Sequence, residues 1–296
     1  MLRKIFVFAV VMFLCSFSRA QKSIDGLINA EKSFAAYSVA NGTKDAFLKF
    51  ADSAALVFDQ GKFVNAIETW KKRDRGNGTL NWFPKFADIS ASEDLGYTSG
   101  PWTFTVNDSV VARGIYATVW HRNGEGDWKF LIDLGVAKTP TDAFLNMSGI
   151  DSTTFWQMDM WGNFDSAVYL GSRHSFQKTE KDFIKKTATA ITKNSERKYW
   201  YGRAASKIRI GGLLRNGRTP LVQGGVYGDG GDDFYATMHA MPDTIQYKIL
   251  GSASASSRDI GFFYGTITVK GKKDGYMRIW RREQKSWKIA LEVLRY

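Results

Sequence analysis

The stretch Asp94–Gly135, DLGYTSGPWTFTVNDSVVARGIYATVWHRNGEGDWKFLIDLG, decides how this chain is read, because the C-terminal end carries a second version of it. From Asp259 to Glu292 the sequence runs DIGFFYGTITVKGKKDGYMRIWRREQKSWKIALE. Asp94-Leu-Gly96-Tyr-x-x-Gly100 answers Asp259-Ile-Gly261-Phe-x-x-Gly265 without a gap. Tyr116-x-x-x-Trp120-x-Arg122 answers Tyr276-x-x-x-Trp280-x-Arg282, and Trp128-Lys129 with Asp133 answers Trp287-Lys288 with Glu292. A self-match of this length predicts two copies of one structural plan.

Upstream of each copy lies a helical pattern. Ile24, Leu27, Ile28, Phe34 and Ala35 recur at helix spacing, and Glu31 falls on the same stripe. Phe176, Glu180, Phe183 and Ile184 repeat the arrangement. A carboxylate on an apolar face requires a partner, so each glutamate is expected to meet an indole N–H, a tyrosine or an arginine of the sheet. A catalytic acid is the alternative reading. Asn41-Gly42 is expected to end the first helix and Thr43 to cap a second carrying Phe47, Phe50, Ala51 and Ala54. Ala55–Phe58 reads as a strand turning at Asp59-Gln60-Gly61-Lys62, and Val64–Lys72 as a helix with Ile67 and Trp70 inward. Strands are expected over 89–92, 96–106, 110–121 and 128–136, the last pair joined at Asn123-Gly124-Glu125-Gly126. In the second copy an insertion places a hairpin over Ser206–Tyr227, followed by Gly228–Asp233, whose spacing does not fit a calcium loop. The fold class is therefore α+β: two tandem cone-shaped domains, each with N-terminal helices packed on a curved antiparallel sheet.

Residues 1–20 read as an export signal, with Arg3 and Lys4 before the apolar run Ile5–Leu14 and Ser18-Arg19-Ala20 at the cleavage site. Cys15 is the only cysteine, and Met12, Phe13 and Leu14 before it are bulky for a lipid-anchor site. The mature chain, cut near Ala20, is expected to be periplasmic or secreted, with no membrane span and no disulfide or thiolate chemistry. The expected units are 21–137, a connecting segment 138–172 packed on both, and 173–296. Residues 21–172 hold 14 basic and 18 acidic side chains; residues 173–296 hold 24 and 11. The basic charges are scattered, so no nucleic acid is expected, and the second unit can lean on its acidic neighbour.

The stretches Phe50–Lys62 (FADSAALVFDQGK), Leu80-Asn-Trp82-x-Pro84, Leu95–Trp102 and Trp128–Gly135 resemble the nuclear transport factor 2-like superfamily, in its SnoaL-like, ketosteroid-isomerase-like branch. The resemblance covers nearly all of 24–136 and, more faintly, 173–296. It implies a cone whose sheet wraps a helix and leaves a pocket at the open end, a fold that hosts isomerases, cyclases, dehydratases and proteins with no chemistry. Catalytic members use an aspartate in the stretch that here reads Ala54–Asp59. Asp59 is the nearest match and Asp52 stands beside it, although Asp is also a common turn former. The second copy has no acid between Ser206 and Arg218, which places any chemistry in the first unit.

Strand alternation adds Asp133, expected on one face with Lys129 and Leu131 and near Tyr116 or His121, either as a base or as a cross-strand ion pair. Candidate catalytic residues are thus Asp59 and Asp133. Candidate ligand-binding residues are Glu31, Trp82, Tyr97, Trp102, Tyr116 and Trp120, of which the aromatics are equally suited to a core. No metal or cofactor is expected, since His121, His174 and His239 form no ligand cluster and no dinucleotide or phosphate-binding motif occurs. The leading expectation is an exported protein that holds a small apolar or aromatic ligand in its first unit. The alternatives are an isomerase- or cyclase-type enzyme and a partner-binding module using the basic second unit. A homodimer and an internal pseudo-dimer are both compatible with the fold.

Overall fold

The computed structural model describes residues 24–137, 149–150, 167–187, 209–211, 242, 244–283 and 286–295. The expected export signal, most of the connecting segment and most of the 206–227 hairpin and 228–233 turn lie outside these residues. The fold is α+β, with helices packed on a curved, mainly antiparallel sheet and a second sheet behind it.

Helix α1 spans 24–41 and buries Ile24, Leu27, Ile28, Glu31, Phe34, Ala35 and Ser38, the stripe read from the sequence. Gly42, at φ 91°, turns the chain: its N–H bonds Ser38 O, and its own carbonyl starts α2 (Thr43–Phe50). Thr43 is therefore the first residue inside α2 and makes no cap. Ala51 and Ala54, expected on this helix, belong instead to β1 (Ala51–Asp59), because pairing with two neighbouring strands outweighs their helix propensity. After β2 (Lys62–Asn65), α3 (Ala66–Lys72) is capped by Asn65, whose side chain accepts from Glu68 N–H.

The first sheet has the order β2-β1-β7-β6-β5-β3, with β4 also on β5. Its further strands are β3 (Thr79–Trp82), β4 (Phe86–Ile89), β5 (Leu95–Val106), β6 (Ser109–Arg122) and β7 (Trp128–Ala137). β1 runs parallel to β7; the other pairs are antiparallel. A bulge opposite Val119–Trp120 inserts Leu131 between Phe130 and Ile132. That extra residue reverses the alternation expected along β7. Phe130 and Asp133 face α1, while Leu131, Ile132 and Leu134 pack on the outer face. Asp133 thus lies opposite Thr118, not with Lys129, whose ammonium donates to Lys49 O.

The second sheet matches the first over one helix and several strands. Helix α4 (Ala167–Thr187) buries Phe176, Glu180 and Phe183. The sheet order is β8-β12-β11-β10-β9, from β8 (Arg209–Gly211), β9 (Gln246–Ser254), β10 (Ile260–Val269), β11 (Lys272–Glu283) and β12 (Ser286–Leu294). Register agrees position by position: Gly96 opposes Trp120 as Gly261 opposes Trp280, and Gly100 opposes Tyr116 as Gly265 opposes Tyr276. The bulge recurs as well, at Ala290 between Ile289 and Leu291. In each sheet a glycine lets the helix approach. A Cβ on Gly96 would lie 2.6 Å from Leu27, and one on Gly261 would lie 2.5 Å from Phe176.

The outer faces of the two sheets pack on each other. Tyr97, Ile115, Val119, Ile132 and Leu134 share one core with Ile260, Phe262, Met277, Ile279 and Leu291. Arg281 Nη1 crosses this core to Asp88 Oδ2 at 2.8 Å, both side chains being buried. Two loops close it with reciprocal bonds. Ser92 N–H donates to Ser257 Oγ and Ser257 N–H to Ser92 Oγ, each at 3.1 Å. Ala91 N–H bonds Asp259 at 2.9 Å, and Ser256 N–H bonds Asp94 at 3.0 Å. These loop contacts answer one another across the seam, whereas the Arg281–Asp88 pair has no counterpart among the described residues, His121 at the matching position being paired with Asp52.

Candidate functional site

Glu31 anchors the centre of the first cone. Trp82 Nε1 donates to its Oε1 at 2.5 Å, Trp120 Nε1 donates to Oε2 at 2.9 Å, and the Thr98 hydroxyl donates to Oε2 as well. Burial pushes its carboxyl up to about 7, against the pull of these three donors, and the nearby Asp133 charge adds to the rise. Glu180 occupies the same place in the second cone, accepting from Trp280 Nε1 at 2.7 Å, Arg278 Nη1 at 2.5 Å and Tyr276 at 3.3 Å. Both carboxylates therefore meet sheet donors as the sequence implied: Glu180 an indole, a tyrosine and an arginine, and Glu31 two indoles and, beyond the expectation, a threonine hydroxyl.

Beyond Glu31 the two cones differ. In the second, Arg278 lies between Glu180 and Glu292 with all three side chains fully buried, and its guanidinium stacks 3.8 Å from the Phe183 ring centre. The corresponding position in the first sheet is Thr118, a much smaller side chain, whose hydroxyl donates to Asp133 Oδ2 at 2.6 Å. There a cavity of about 310 Å³ opens, lined by Trp82, Trp102, Tyr116, Asp133, Gly135 and Arg295 together with Phe47, Leu80 and Ala137. A volume of this order suits a small ligand.

The lining is set by strand alternation. Trp102 on β5 and Tyr116 on β6 point to the concave side, and Gly114 and Gly135 clear a bed for the Trp102 indole. A Cβ on Gly114 would fall 2.6 Å from its ring, and one on Gly135 would fall 3.5 Å from its Nε1. That indole N–H and the Tyr116 hydroxyl are buried and complete no hydrogen bond, although Tyr116 sits beside Thr98. Burial, and then the Glu31 charge, raise the Tyr116 phenol well above its ordinary value, so it stays protonated. Asp133 is enclosed by protein and meets solvent through the cavity; burial pushes its carboxyl up to about 6, against the Thr118 hydroxyl.

The structure thus brings Trp82, Trp102, Tyr116 and Asp133 together on one wall. Glu31 and Trp120 sit behind it, bonded to each other. Tyr97 is elsewhere: five positions before Trp102, it takes the opposite face of β5, and its hydroxyl donates to Asp88 at 3.2 Å in the core between the sheets. Asp59 is also elsewhere, at the β1 end, 2.7 Å from Arg73, which stacks on Trp70 at 4.4 Å. Arg73 borders a second hollow of about 490 Å³ between the α1–α2 turn and residues 73–78. His121 pairs with Asp52 Oδ2 at 2.8 Å and does not approach Asp133. Although burial opposes it, the Ala54 N–H and His121 hold the Asp52 carboxyl below its usual range. Sequence reasoning missed Phe47, Leu80, Thr118 and Arg295. Thr118 was open to discovery, being two residues from Tyr116 on the same face; Arg295 belongs to the far end of the chain and carries no local signal. Among the described residues no group of three His, Cys, Asp or Glu side chains is placed to hold a metal ion, and no helix is long and apolar enough to cross a membrane.

An α+β cone with a carboxylate-bearing, aromatic-walled cavity is the class that this fold and site define. No family model and no curated protein sequence matches the chain. Solved structures similar to part of it include a nuclear transport factor 2-like protein from Shewanella oneidensis (18% identity, 38% of this chain and 96% of that one, TM-score 0.32). Another is a nuclear transport factor 2-like protein with a cystatin-like fold from Novosphingobium aromaticivorans (8% identity, 45% and 92%, TM-score 0.36). A third is a Δ5-3-ketosteroid isomerase from a Mycobacterium species (14% identity, 37% and 91%, TM-score 0.30).

Proposed function

We propose that this is an exported protein of two related α+β units arisen by duplication and paired as an internal pseudo-dimer, with the first unit binding a small, mainly apolar ligand. The observation that carries the binding reading is the first cone's cavity, where the buried Trp102 Nε1 lacks a partner and the buried Tyr116 hydroxyl has only Thr98 beside it. A buried donor without an acceptor costs on the order of 1–3 kcal/mol, which an oxygen-bearing ligand would offset. The second unit differs at the matching position, where the buried Arg278 bridges Glu180 and Glu292 in place of the small Thr118.

A calorimetric titration of the full chain with 1-tetralone and 1-naphthol tests this. Saturable binding at one site is expected in the unaltered protein. It should be lost in Gly135→Val, whose side chain enters the cavity beside Trp102. Absence of saturable binding, or binding untouched by Gly135→Val, would reject the cavity as the site.

A second reading, proton transfer next to a carbonyl, is favoured by one observation: the Asp133 carboxyl is raised to about 6, within reach of working pH, in the same cavity as a protonated tyrosine. The base in that reading is Asp133 and not Asp59, which is engaged by Arg73 away from the cavity. Asp133→Asn should abolish turnover and leave the melting temperature nearly unchanged. The partner-binding reading draws less support, because Arg278 and Arg281 of the basic half are buried and ion-paired within the chain.

A further inference from the structure

On the cavity reading above, we propose that the ligand is a hydroxylated aromatic carboxylic acid, its carboxylate held at the Gly135 end by Arg295 and the Trp102 indole and its hydroxyl bonded to Asp133. Polar groups of opposite kind are separated along β7. Both donors of the outer end flank Gly135. Trp102 Nε1 lies over that residue, its N–H buried without an acceptor, and Arg295 Nη1 donates to Gly135 O at 2.5 Å.

Arg295 reaches this place from the second sheet and is fixed there from several sides. Its Nε donates to Asp274 Oδ1 at 2.9 Å, its backbone N–H to Gly275 O at 3.0 Å, and its guanidinium lies 5.0 Å from the Phe58 ring centre. It can settle on β7 because the pairing of β1 with β7 extends only as far as Asp133, leaving the Gly135 carbonyl for the guanidinium. A guanidinium held in this way has its planar fork oriented in advance, the condition under which arginine recognises carboxylates well.

The inner end has the opposite polarity. Among the described residues Asp133 is the only carboxylate lining the cavity, and with a carboxyl near 6 it is mainly ionised at neutral pH, able to accept from a ligand as well as from Thr118. Two residues of strand separate Asp133 from Gly135, about 6.6 Å. A hydroxyl and a carboxylate set across one benzene ring span a comparable distance. The ring between them would lie against Phe47, Leu80 and Trp82. An aliphatic acid would bring Asp133 no donor, and a neutral phenol would bring Arg295 and Trp102 no anion. An acid without a hydroxyl also meets repulsion from Asp133 that the hydroxyl hydrogen bond offsets.

Calorimetric titration of the full chain at neutral pH with 4-hydroxyphenylacetate, 4-hydroxyphenylacetamide, phenylacetate and p-cresol tests the assignment. The hydroxy acid should bind about tenfold or more tightly than the amide, and likewise than phenylacetate. Arg295→Gln should erase the preference for acid over amide while p-cresol binds as before; Asp133→Asn should erase the preference for the hydroxyl. Equal binding of acid and amide by the unaltered protein would overturn the ligand class and leave the cavity reading standing, since both compounds would occupy it. If none of the four binds, the cavity reading falls and this inference with it. Melting temperatures recorded on the same samples show whether each variant is folded; where Arg295→Gln is not, the acid–amide comparison in the unaltered protein decides alone.

Discussion

Replacing Glu31 by Gln removes one titrating proton from the middle of the first cone and leaves the side chain's shape nearly intact. In the folded protein the Glu31 carboxyl is raised from 4.5 to about 7, chiefly by burial. Below about pH 4.5 it is protonated whether the chain is folded or not. As pH rises from there, the unfolded chain ionises first, so the folded state binds more protons and stability falls. The fall continues until the folded carboxyl itself ionises near 7. A rise of that size, at about 1.4 kcal/mol for each pH unit, amounts to about 3 kcal/mol. The amide of Glu31→Gln does not titrate, and Asp88 and Asp133 are present in both proteins, so they largely cancel in the difference. Urea unfolding of the two proteins at a series of pH values should therefore show the stability of wild type relative to Glu31→Gln decreasing by about 3 kcal/mol between about pH 4 and about pH 8. Whatever fixed offset comes from fitting an amide among three donors is independent of pH. A flat difference would mean that Trp82, Trp120 and Thr98 cancel the effect of burial and return the folded carboxyl to its unfolded value, and a difference that rises with pH would mean that they hold it ionised; either result would refute the reasoning from burial.

Arg281→Met should destabilise the chain by about 3–5 kcal/mol in urea unfolding, because it strands Asp88 in the core between the sheets; adding Asp88→Asn should recover much of the loss. Thr118→Val takes away the hydroxyl that holds the Asp133 carboxyl down, so its titration, followed by NMR of a carboxyl-labelled sample, should move above about 6; an unmoved midpoint would assign the control elsewhere. Ser92→Ala and Ser257→Ala should each cost about 1 kcal/mol, and the double variant less than their sum, since the two hydroxyls are 2.8 Å apart and bond each other. Full additivity would show that they act independently.

Much of the first cone was legible because it rests on short-range periodicity. Glu31 stood out as the one charged residue on an apolar helical stripe, and its matched partner Glu180 behaves alike. Trp82, Trp102 and Tyr116 were found by residue type and reach the cavity. Tyr97 was misplaced although its position, an odd number of residues from Trp102, already put it on the other face of the strand. Asp133 reached the cavity for a reason the pattern did not contain. The expected grouping with Lys129 assumed unbroken alternation, and a one-residue bulge at Leu131 inverted it. Bulges leave little trace in hydrophobic order when, as here, the extra residue is itself apolar. The boundary between α2 and β1 was lost for a related cause: alanines suit either state, and pairing with the distant strand β7 chose for them. Arg295 lies furthest from anything sequence alone could place, since its role arises from how the two sheets meet.

The packing of one sheet against the other has a bearing on how this chain tolerates change. In an assembly of identical subunits every substitution is written twice, once on each side of the contact. Here both sides are encoded separately, so a bulky cation can enter one cone at Arg278 while the other keeps a threonine and an open interior. The tether also holds the two faces together at any dilution, because the second face is always supplied by the same molecule. On the proposed duplication, asymmetry between the halves is free to accumulate without loosening the contact that joins them.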